Sequence, residues 1–127
     1  MAKKLDAHVL DALSETIESR RGGNPDKSYT AKLMSRGTRQ VAKKFAEEAG
    51  EVVIDAVAQD KSGLIGESAD VLYHLLVLWA DARIKPTQVW AELARREGIS
   101  GIAEKMARTA RKPRKARAKT RKTPRKR

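Results

Sequence analysis

Residues 64–83 carry apolar side chains around most of the circumference of a helical wheel. A helix of this composition must lie inside a protein or in an interface between chains, because no broad side of it suits water. Its charged and imidazole side chains nevertheless fall on one narrow stripe of the wheel. The members of this stripe are Glu67, Asp70, His74 and Asp81. The sequence therefore predicts a helix that is apolar except along one polar line.

A second helix, predicted over residues 39–59, is apolar on one face only. This face consists of Val41, Phe45, Ala49, Val52 and Ala56, and it is extended by Val53 and Val57. A polar stripe along its edge contains Lys44, Glu48, Glu51 and Asp55. Lys43 and Glu47 fall on the far side of the wheel, so we expect Glu47 to face solvent or the margin of a site.

Each of these helices carries two carboxylates three residues apart, Glu48 with Glu51 and Glu67 with Asp70. If the two stripes face each other, the four carboxylates converge, and a divalent cation would keep them ionised in an apolar setting. Oxygen ligands favour Mg²⁺, with Mn²⁺ as the alternative. Two other readings remain open, namely pairing of these carboxylates with Lys or Arg and a purely structural hydrogen bond of His74.

The remaining periodicity predicts shorter helices over residues 5–17, 29–36 and 86–98. Thr38 is the predicted N-cap of the helix over residues 39–59, and residues 60–63 are the predicted connector to the next helix. Strand signals are weak throughout the chain. The expected fold is therefore all-α.

The net charge of +12 is concentrated at one end of the chain. Residues 1–103 hold equal numbers of basic and acidic side chains, whereas residues 104–127 hold 13 basic side chains and one acidic one. We therefore expect a helical domain over residues 1–103 and a basic, low-complexity tail over residues 104–127. From about residue 108 the tail has too few apolar side chains to compensate for the conformational entropy lost on ordering. We therefore expect this part of the chain to be disordered.

Several classes of protein are excluded by composition. The chain has no cysteine, which excludes disulfide scaffolds and thiolate metal sites, and its two histidines are too few for an all-histidine site. No segment is long and apolar enough for a membrane-spanning helix, and the N-terminal residues lack the apolar core of a secretory signal. We expect a cytoplasmic protein without a membrane partner.

Three sequence blocks carry a resemblance to a known family. The blocks read SYTAKL from Ser28, KFAEEAGE from Lys44 and ESADVLYHLLVL from Glu67. Their order and spacing, over residues 5–98, are similar to those of the phosphoribosyl-ATP pyrophosphohydrolases of histidine biosynthesis. That family is a branch of the MazG-like, all-α nucleoside triphosphate pyrophosphohydrolases. Ala46, where the family often has glycine, and Gly50, where it usually has a larger residue, depart from the pattern without touching a metal position.

The resemblance implies a MazG-like helical bundle that a second copy of the chain completes, and hence a homodimer. It implies Mg²⁺-dependent hydrolysis of phosphoribosyl-ATP between the α and β phosphates, which yields phosphoribosyl-AMP and pyrophosphate. Carried over by position, Glu48, Glu51, Glu67 and Asp70 would hold the metal. The catalytic base would be one of these carboxylates or Glu47.

We predict substrate contacts at seven further residues. They are Ser28, Tyr29, Thr30, Lys32, Arg36, Lys44 and His74. Lys32 and Arg36 lie four residues apart on one helix face and suit phosphates. Lys44, one turn before Glu48, is placed either to contact a phosphate or to balance the charge of the neighbouring carboxylates. The hydroxyls of the SYTAKL block are possible donors, and its tyrosine would stack on the base or pack internally.

Two other functions are compatible with the residues. A housekeeping enzyme of the same superfamily would hydrolyse ordinary or damaged nucleoside triphosphates, although the SYTAKL block argues against it. A nucleic-acid-associated helical protein would act through the tail, which would bind phosphate backbones without sequence preference. A purely structural helical dimer would leave the polar stripe of residues 67–81 without a purpose.

Overall fold

The computed structural model of the chain describes residues 5–99 and 101–111, with the side chain of Glu104 excepted. Within these ranges the regular secondary structure is entirely α-helical, as the sequence predicts. The helices are α1 (His8–Ser19), α2 (Tyr29–Ser35), α3 (Thr38–Val57), α4 (Lys61–Asp81), α5 (Pro86–Arg96) and α6 (Gly101–Arg111). None of the described helices is both long enough and apolar enough to cross a membrane.

The chain divides into two compact units, Met1–Val89 and Trp90–Arg127. In the first unit, α3 and α4 form an antiparallel pair, α1 packs against α4, and α2 packs against both members of the pair. The buried core of this unit is small and lies toward the C-terminal half of α4. Its members are Ile17, Leu33, Val41, Leu76, Val77 and Ala80.

The other end of the α3–α4 pair carries apolar side chains that the described residues leave exposed. Val53, Ile54 and Val57 of α3 are 61%, 60% and 80% exposed, and Ile65 of α4 is 73% exposed. Because the two helices are antiparallel and joined by a short turn, these side chains belong to the same end of the pair. We call them the apolar end.

Two predictions about helix ends are wrong. The N-cap of α3 is Gly37, whose φ of 91° is accessible to glycine, and Thr38 is the first helical residue. The Thr38 hydroxyl donates instead to Asp81 at the end of α4, at 2.7 Å. The predicted connector belongs largely to α4, because the Asp60 carboxylate accepts a hydrogen bond from the Gly63 amide at 2.9 Å and caps that helix.

In the second unit, α6 runs across the domain boundary that we predict after residue 103. Ile102 and Met106, four residues apart, form an apolar side, whereas Lys105, Arg108 and Arg111 lie outside it. This amphipathic spacing explains why the chain is helical up to Arg111 rather than disordered from about residue 108. Residues 112–127, the rest of the predicted tail, lie outside the described residues.

Replacing Ile17 by alanine is expected to lower the free energy of unfolding by about 2–5 kcal/mol, because the change leaves a cavity in the core. The Ile17 side chain is 1% exposed and carries the contact of α1 with the rest of the first unit. Chemical denaturation measures the change, with Val9→Ala as the matched variant because Val9 lies on the same helix at 44% exposure. A loss below 1 kcal/mol for Ile17→Ala would contradict this core assignment.

Candidate functional site

Three of the predicted carboxylates meet between α3 and α4. Glu48 of α3 and Glu67 and Asp70 of α4 each offer an oxygen, and these oxygens all lie within 4.8 Å of one another. We call these three residues the acidic cluster. Glu48 and Glu67 are partly buried and Asp70 is exposed, so the cluster opens to solvent on one side. The antiparallel pairing of the two helices brings the predicted stripes face to face.

The Glu67 carboxylate is surrounded by other carboxylates and has one oxygen without a partner among the described residues. Its Oε2 atom is buried and has no hydrogen-bond partner among the described residues. The pKa of Glu67 is raised above its ordinary value by a hydrogen bond with Glu48, by burial, and by the negative charges of Glu48, Asp70 and Glu51. Such an oxygen is costly to leave unpaired, and a divalent cation would satisfy it. The donor set, all carboxylate oxygen, fits Mg²⁺ or Mn²⁺.

The structure does not bring the fourth predicted ligand into the acidic cluster. Glu51 is exposed, and its carboxylate is not among the mutually close oxygens. Its negative charge still contributes to the raised pKa of Glu67, so it lies near the cluster. Glu47 is exposed, as the wheel predicts, and its carboxylate lies 3.6 Å from the Lys44 ammonium.

A cavity of about 320 Å³ lies beside the acidic cluster, between α2 and α3. It is lined by Tyr29, Leu33, Arg36, Gln40, Lys43, Lys44 and Glu47. We call it the basic pocket, because three of its side chains are cationic. Lys44 joins the two features, since its Nζ atom is 3.6 Å from Glu48 of the cluster as well as from Glu47. The pKa of Lys44 is raised by the neighbouring Tyr29 phenol and by these two carboxylates.

Two polar residues of the basic pocket were missed by sequence reasoning. Gln40 and Lys43 line it beside Lys44 and Glu47, but a wheel centred on the apolar face puts Lys43 on the far side. A signal was present, because residues 40, 43, 44 and 47 follow the spacing of one helical face. The sequence does not show where α2 lies, and α2 forms the opposite wall of the basic pocket.

Only part of the predicted upstream set reaches the basic pocket. Tyr29 and Arg36 line it. The Ser28 hydroxyl instead caps α2 by accepting a hydrogen bond from the Ala31 amide at 3.1 Å. Thr30 is buried. Its hydroxyl is hydrogen-bonded to that of Tyr73. Lys32 is exposed outside the lining, so direct substrate contacts of residues 28, 30 and 32 remain predictions.

A larger cavity, of about 430 Å³, lies where α1 meets the end of α4 and contains none of the predicted site residues. Two of its charged side chains are already paired with each other, since the Arg21 guanidinium donates to Glu18 at 2.8 Å. Volume alone does not identify a site. The basic pocket is the better candidate because it adjoins a carboxylate cluster with an unpartnered oxygen.

Comparison with known proteins places this site in a family context. A family model described as phosphoribosyl-ATP pyrophosphohydrolase matches residues 10–97, which include the acidic cluster and the basic pocket. A phosphoribosyl-ATP pyrophosphatase of Azospirillum brasilense is 58% identical over 105 residues, which are 83% of this chain and 95% of the relative. The protein of the same name from Granulibacter bethesdensis is 56% identical over 116 residues, 91% of this chain and 72% of the relative.

Proposed function

Because the chain belongs to the phosphoribosyl-ATP pyrophosphohydrolase family, we propose that the acidic cluster and the basic pocket form the two halves of its active site. The reaction is the hydrolysis of phosphoribosyl-ATP to phosphoribosyl-AMP and pyrophosphate in histidine biosynthesis. One observation carries the assignment of the site: Lys44 lines the pocket and lies 3.6 Å from Glu48 of the cluster. We assign the reaction to the cytoplasm, since its substrate and products are charged nucleotides and phosphates.

Glu48, Glu67 and Asp70 would hold Mg²⁺, with Mn²⁺ as the alternative ion. The Glu67 Oε2 atom supports this proposal, because it is buried without a hydrogen-bond partner among the described residues and a cation would satisfy it. When bound, the ion neutralises charge that develops on the phosphates and helps to orient the attacking water. Glu51, at the edge of the cluster, adds negative charge and would hold water molecules around the ion.

The basic pocket binds the phosphate chain. The planar Arg36 guanidinium can donate two parallel hydrogen bonds to one phosphate, whereas Lys43 and Lys44 act as compact charges. In the hydrolysis, a water oxygen forms a bond to the α phosphorus while the bond from that phosphorus to the bridging oxygen breaks. Pyrophosphate leaves with that oxygen, and the proton of the water passes to a carboxylate. Glu47 is our candidate for this base, because it is exposed in the wall of the pocket.

The enzyme acts as a homodimer in this proposal. The apolar end presents four large apolar side chains to solvent, and monomeric proteins rarely leave a large apolar patch uncovered. A second copy of the chain would cover it and would complete the helical bundle of the family.

We expect Val57→Glu to convert a dimer into a monomer, because it places a charge at the most exposed side chain of the apolar end. Light scattering on the purified full chain gives the molar mass. The matched control is Ile102→Glu, since Ile102 is 78% exposed in the second unit, close to the 80% of Val57. A wild-type chain that is monomeric at all concentrations, or a Val57→Glu dimer, would contradict the proposed interface.

A second candidate role belongs to the basic tail, which we propose to bind polyanions such as nucleic acid without sequence preference. Lys105, Arg108 and Arg111 recur at three-residue spacing on α6. Residues 112–127 then add ten basic side chains and no acidic one. This region contains no aromatic side chain that could stack on bases, so binding would be electrostatic and would weaken steeply with salt.

Deletion of residues 112–127 is expected to leave kcat/KM for phosphoribosyl-ATP within about twofold of the wild-type value, because the family match ends at residue 97. The same deletion should abolish the salt-sensitive binding of a DNA duplex, which fluorescence anisotropy measures at several salt concentrations. Equal DNA binding by both chains would contradict the role of the tail. A collapse of turnover would show that the tail belongs to the active site.

The proposed reaction is tested by pyrophosphate release from phosphoribosyl-ATP, with and without Mg²⁺, beside ATP and dATP. We expect rapid Mg²⁺-dependent release from phosphoribosyl-ATP and little from the two other nucleotides. Mg²⁺-dependent release from ATP and dATP alone would support the metal site but would indicate a housekeeping nucleoside triphosphate pyrophosphohydrolase instead. No release from any of the three would refute the enzymatic proposal.

A further inference from the structure

Three rings form a compact group between the two halves of the site. Tyr29 of α2 lies nearly parallel to Tyr73 of α4, with ring centroids 6.2 Å apart and an angle of 22°. The His74 ring stands edge-on to both, at centroid distances of 6.2 and 5.0 Å. Tyr29 lines the basic pocket, and His74 follows Asp70 of the acidic cluster by one helical turn. The three rings therefore lie between the basic pocket and the acidic cluster.

The hydrogen bonds of His74 fix which ring nitrogen carries the proton. His74 is 4% exposed, and its Nδ1 atom lies 2.7 Å from the backbone carbonyl oxygen of Asp70. A carbonyl oxygen can only accept, so Nδ1 carries the proton and donates it. In the neutral ring, Nε2 is then an acceptor. The Tyr29 hydroxyl lies 3.5 Å from it and is the donor that this tautomer requires.

The second tyrosine is held from the other side. Tyr73 is partly buried, and its hydroxyl is hydrogen-bonded to that of Thr30. Burial raises the pKa of Tyr73, so the phenol stays neutral. Tyr29, by contrast, is 51% exposed, although its ring has neighbours in Tyr73 and His74. A half-exposed ring with a restrained orientation is suited to stack on a flat ligand.

We propose that His74 is a positioning residue that holds the Tyr29 ring against the purine base of the substrate. This inference rests on the proposed function, in which the same pocket binds the phosphates through Arg36, Lys43 and Lys44. It gives His74 an indirect role, because a side chain this buried lies behind Tyr29 and does not line the pocket. Since Nδ1 is bonded to the Asp70 carbonyl, the orientation of the phenol is tied to the turn of α4 that carries a metal ligand.

The hydrogen bond between the Tyr29 hydroxyl and His74 Nε2 is weak, and the choice of variants depends on this. A distance of 3.5 Å is long for an O–H···N hydrogen bond, so this bond contributes little to the stability of the fold. Removing the hydroxyl in Tyr29→Phe should therefore leave the melting temperature close to that of the wild-type chain. The effect should fall on substrate binding instead.

The experiment compares Tyr29→Phe, His74→Asn, His74→Gln and the double variant Tyr29→Phe/His74→Asn in the full chain. Asparagine can keep a donor near the Asp70 carbonyl but cannot reach the Tyr29 hydroxyl. Glutamine is long enough to offer an oxygen in place of Nε2. Pyrophosphate release gives kcat and KM for each chain, and thermal melting reports on the fold separately.

We expect Tyr29→Phe and His74→Asn each to raise KM about three- to tenfold, with a smaller change in kcat. The double variant should show no further rise, because both changes remove the same bond. His74→Gln should recover part of the loss. A purely structural role would lower the melting temperature of His74→Asn and leave KM unchanged, and this result, like multiplicative effects in the double variant, would overturn the proposal.

A measurement without substrate separates this inference from the proposed function. The sequence contains two histidines, so ¹⁵N spectra of the imidazole rings are simple, and His8→Asn assigns the remaining signals to His74. We expect His74 as the Nδ1–H tautomer, with an Nε2 resonance that shifts in Tyr29→Phe. The Nε2–H tautomer, or an Nε2 resonance indifferent to Tyr29→Phe, would overturn the positioning role even in an active enzyme. Failure of the wild-type chain to hydrolyse phosphoribosyl-ATP would instead refute the proposed function.

Discussion

Replacing Glu67 by glutamine is expected to lower kcat/KM for phosphoribosyl-ATP by about 10³-fold or more, without unfolding the protein. A metal ion contributes several kcal/mol of charge stabilisation to such a reaction, and each 1.4 kcal/mol corresponds to a factor of ten. Glutamine has the shape of the carboxyl group but lacks its negative charge. Because Glu67 supplies the unpartnered oxygen of the acidic cluster, its loss should affect metal binding most directly.

Although Glu67→Gln should lower activity, we do not expect it to lower the stability of the metal-free protein. The pKa of Glu67 is raised in the folded chain, so the folded state favours the protonated side chain. This contribution to stability is present at low pH and is lost as the pH rises through the raised pKa. At neutral pH and without metal, Glu67→Gln should therefore melt at the wild-type temperature or above it.

Added Mg²⁺ should reverse that order. A ligand that binds only the folded state raises the melting temperature, so Mg²⁺ should stabilise the wild-type chain and leave Glu67→Gln unchanged. The stabilisation should weaken as the pH falls through the raised pKa of Glu67, because a proton then competes with the ion. Glu97→Gln, which removes an exposed carboxylate just after α5, is the matched control for the loss of one negative charge. Turnover of Glu67→Gln within tenfold of wild type would contradict the assignment.

Replacing Lys44 by methionine is expected to lower kcat/KM about 10²-fold. Methionine keeps much of the apolar stem but removes the charge that lies 3.6 Å from both Glu47 and Glu48. Without it, the phosphates lose a cation that stabilises the charge developing in the reaction, and removing one such group typically costs about 10²–10³-fold in rate. Steady-state kinetics measure the change.

The control for Lys44→Met is Lys61→Met, which removes a lysine at the start of α4, outside the basic pocket. Both variants change the net charge equally, so a general electrostatic effect on a negatively charged substrate would appear in both. Equal kinetics for the two variants would contradict a specific role of Lys44 between pocket and cluster.

The helical pattern of α3 and α4 was sufficient to predict the three residues that form the acidic cluster. Carboxylates at three-residue spacing on two facing stripes converge if the helices are antiparallel, and Glu48, Glu67 and Asp70 do so. Glu51 does not join them, because the angle between two helices decides which turn of each comes closest. That angle depends on side-chain packing along the whole pair, which a helical wheel does not contain.

The wrong predictions arise mainly from tertiary contacts that the local sequence does not show. Thr38 has the chemistry of an N-cap, but its hydroxyl is engaged by Asp81, 43 residues further along the chain. The basic pocket exists only because α2 lies against α3, so the roles of Gln40 and Lys43 required a tertiary contact. In the tail, the abundance of Lys and Arg masked the four-residue spacing of Ile102 and Met106 that accompanies α6.

The central claim, that the acidic cluster holds a divalent cation beside the basic pocket, is tested most directly by crystallography with Mn²⁺. Crystals grown with Mn²⁺ should show an anomalous peak bounded by oxygens of Glu48, Glu67 and Asp70, at about the 2.0–2.3 Å expected for such ions. Crystals of Glu67→Gln grown in the same way should lack it. A wild-type map with no peak between α3 and α4, or with its peak at other residues, would contradict the account.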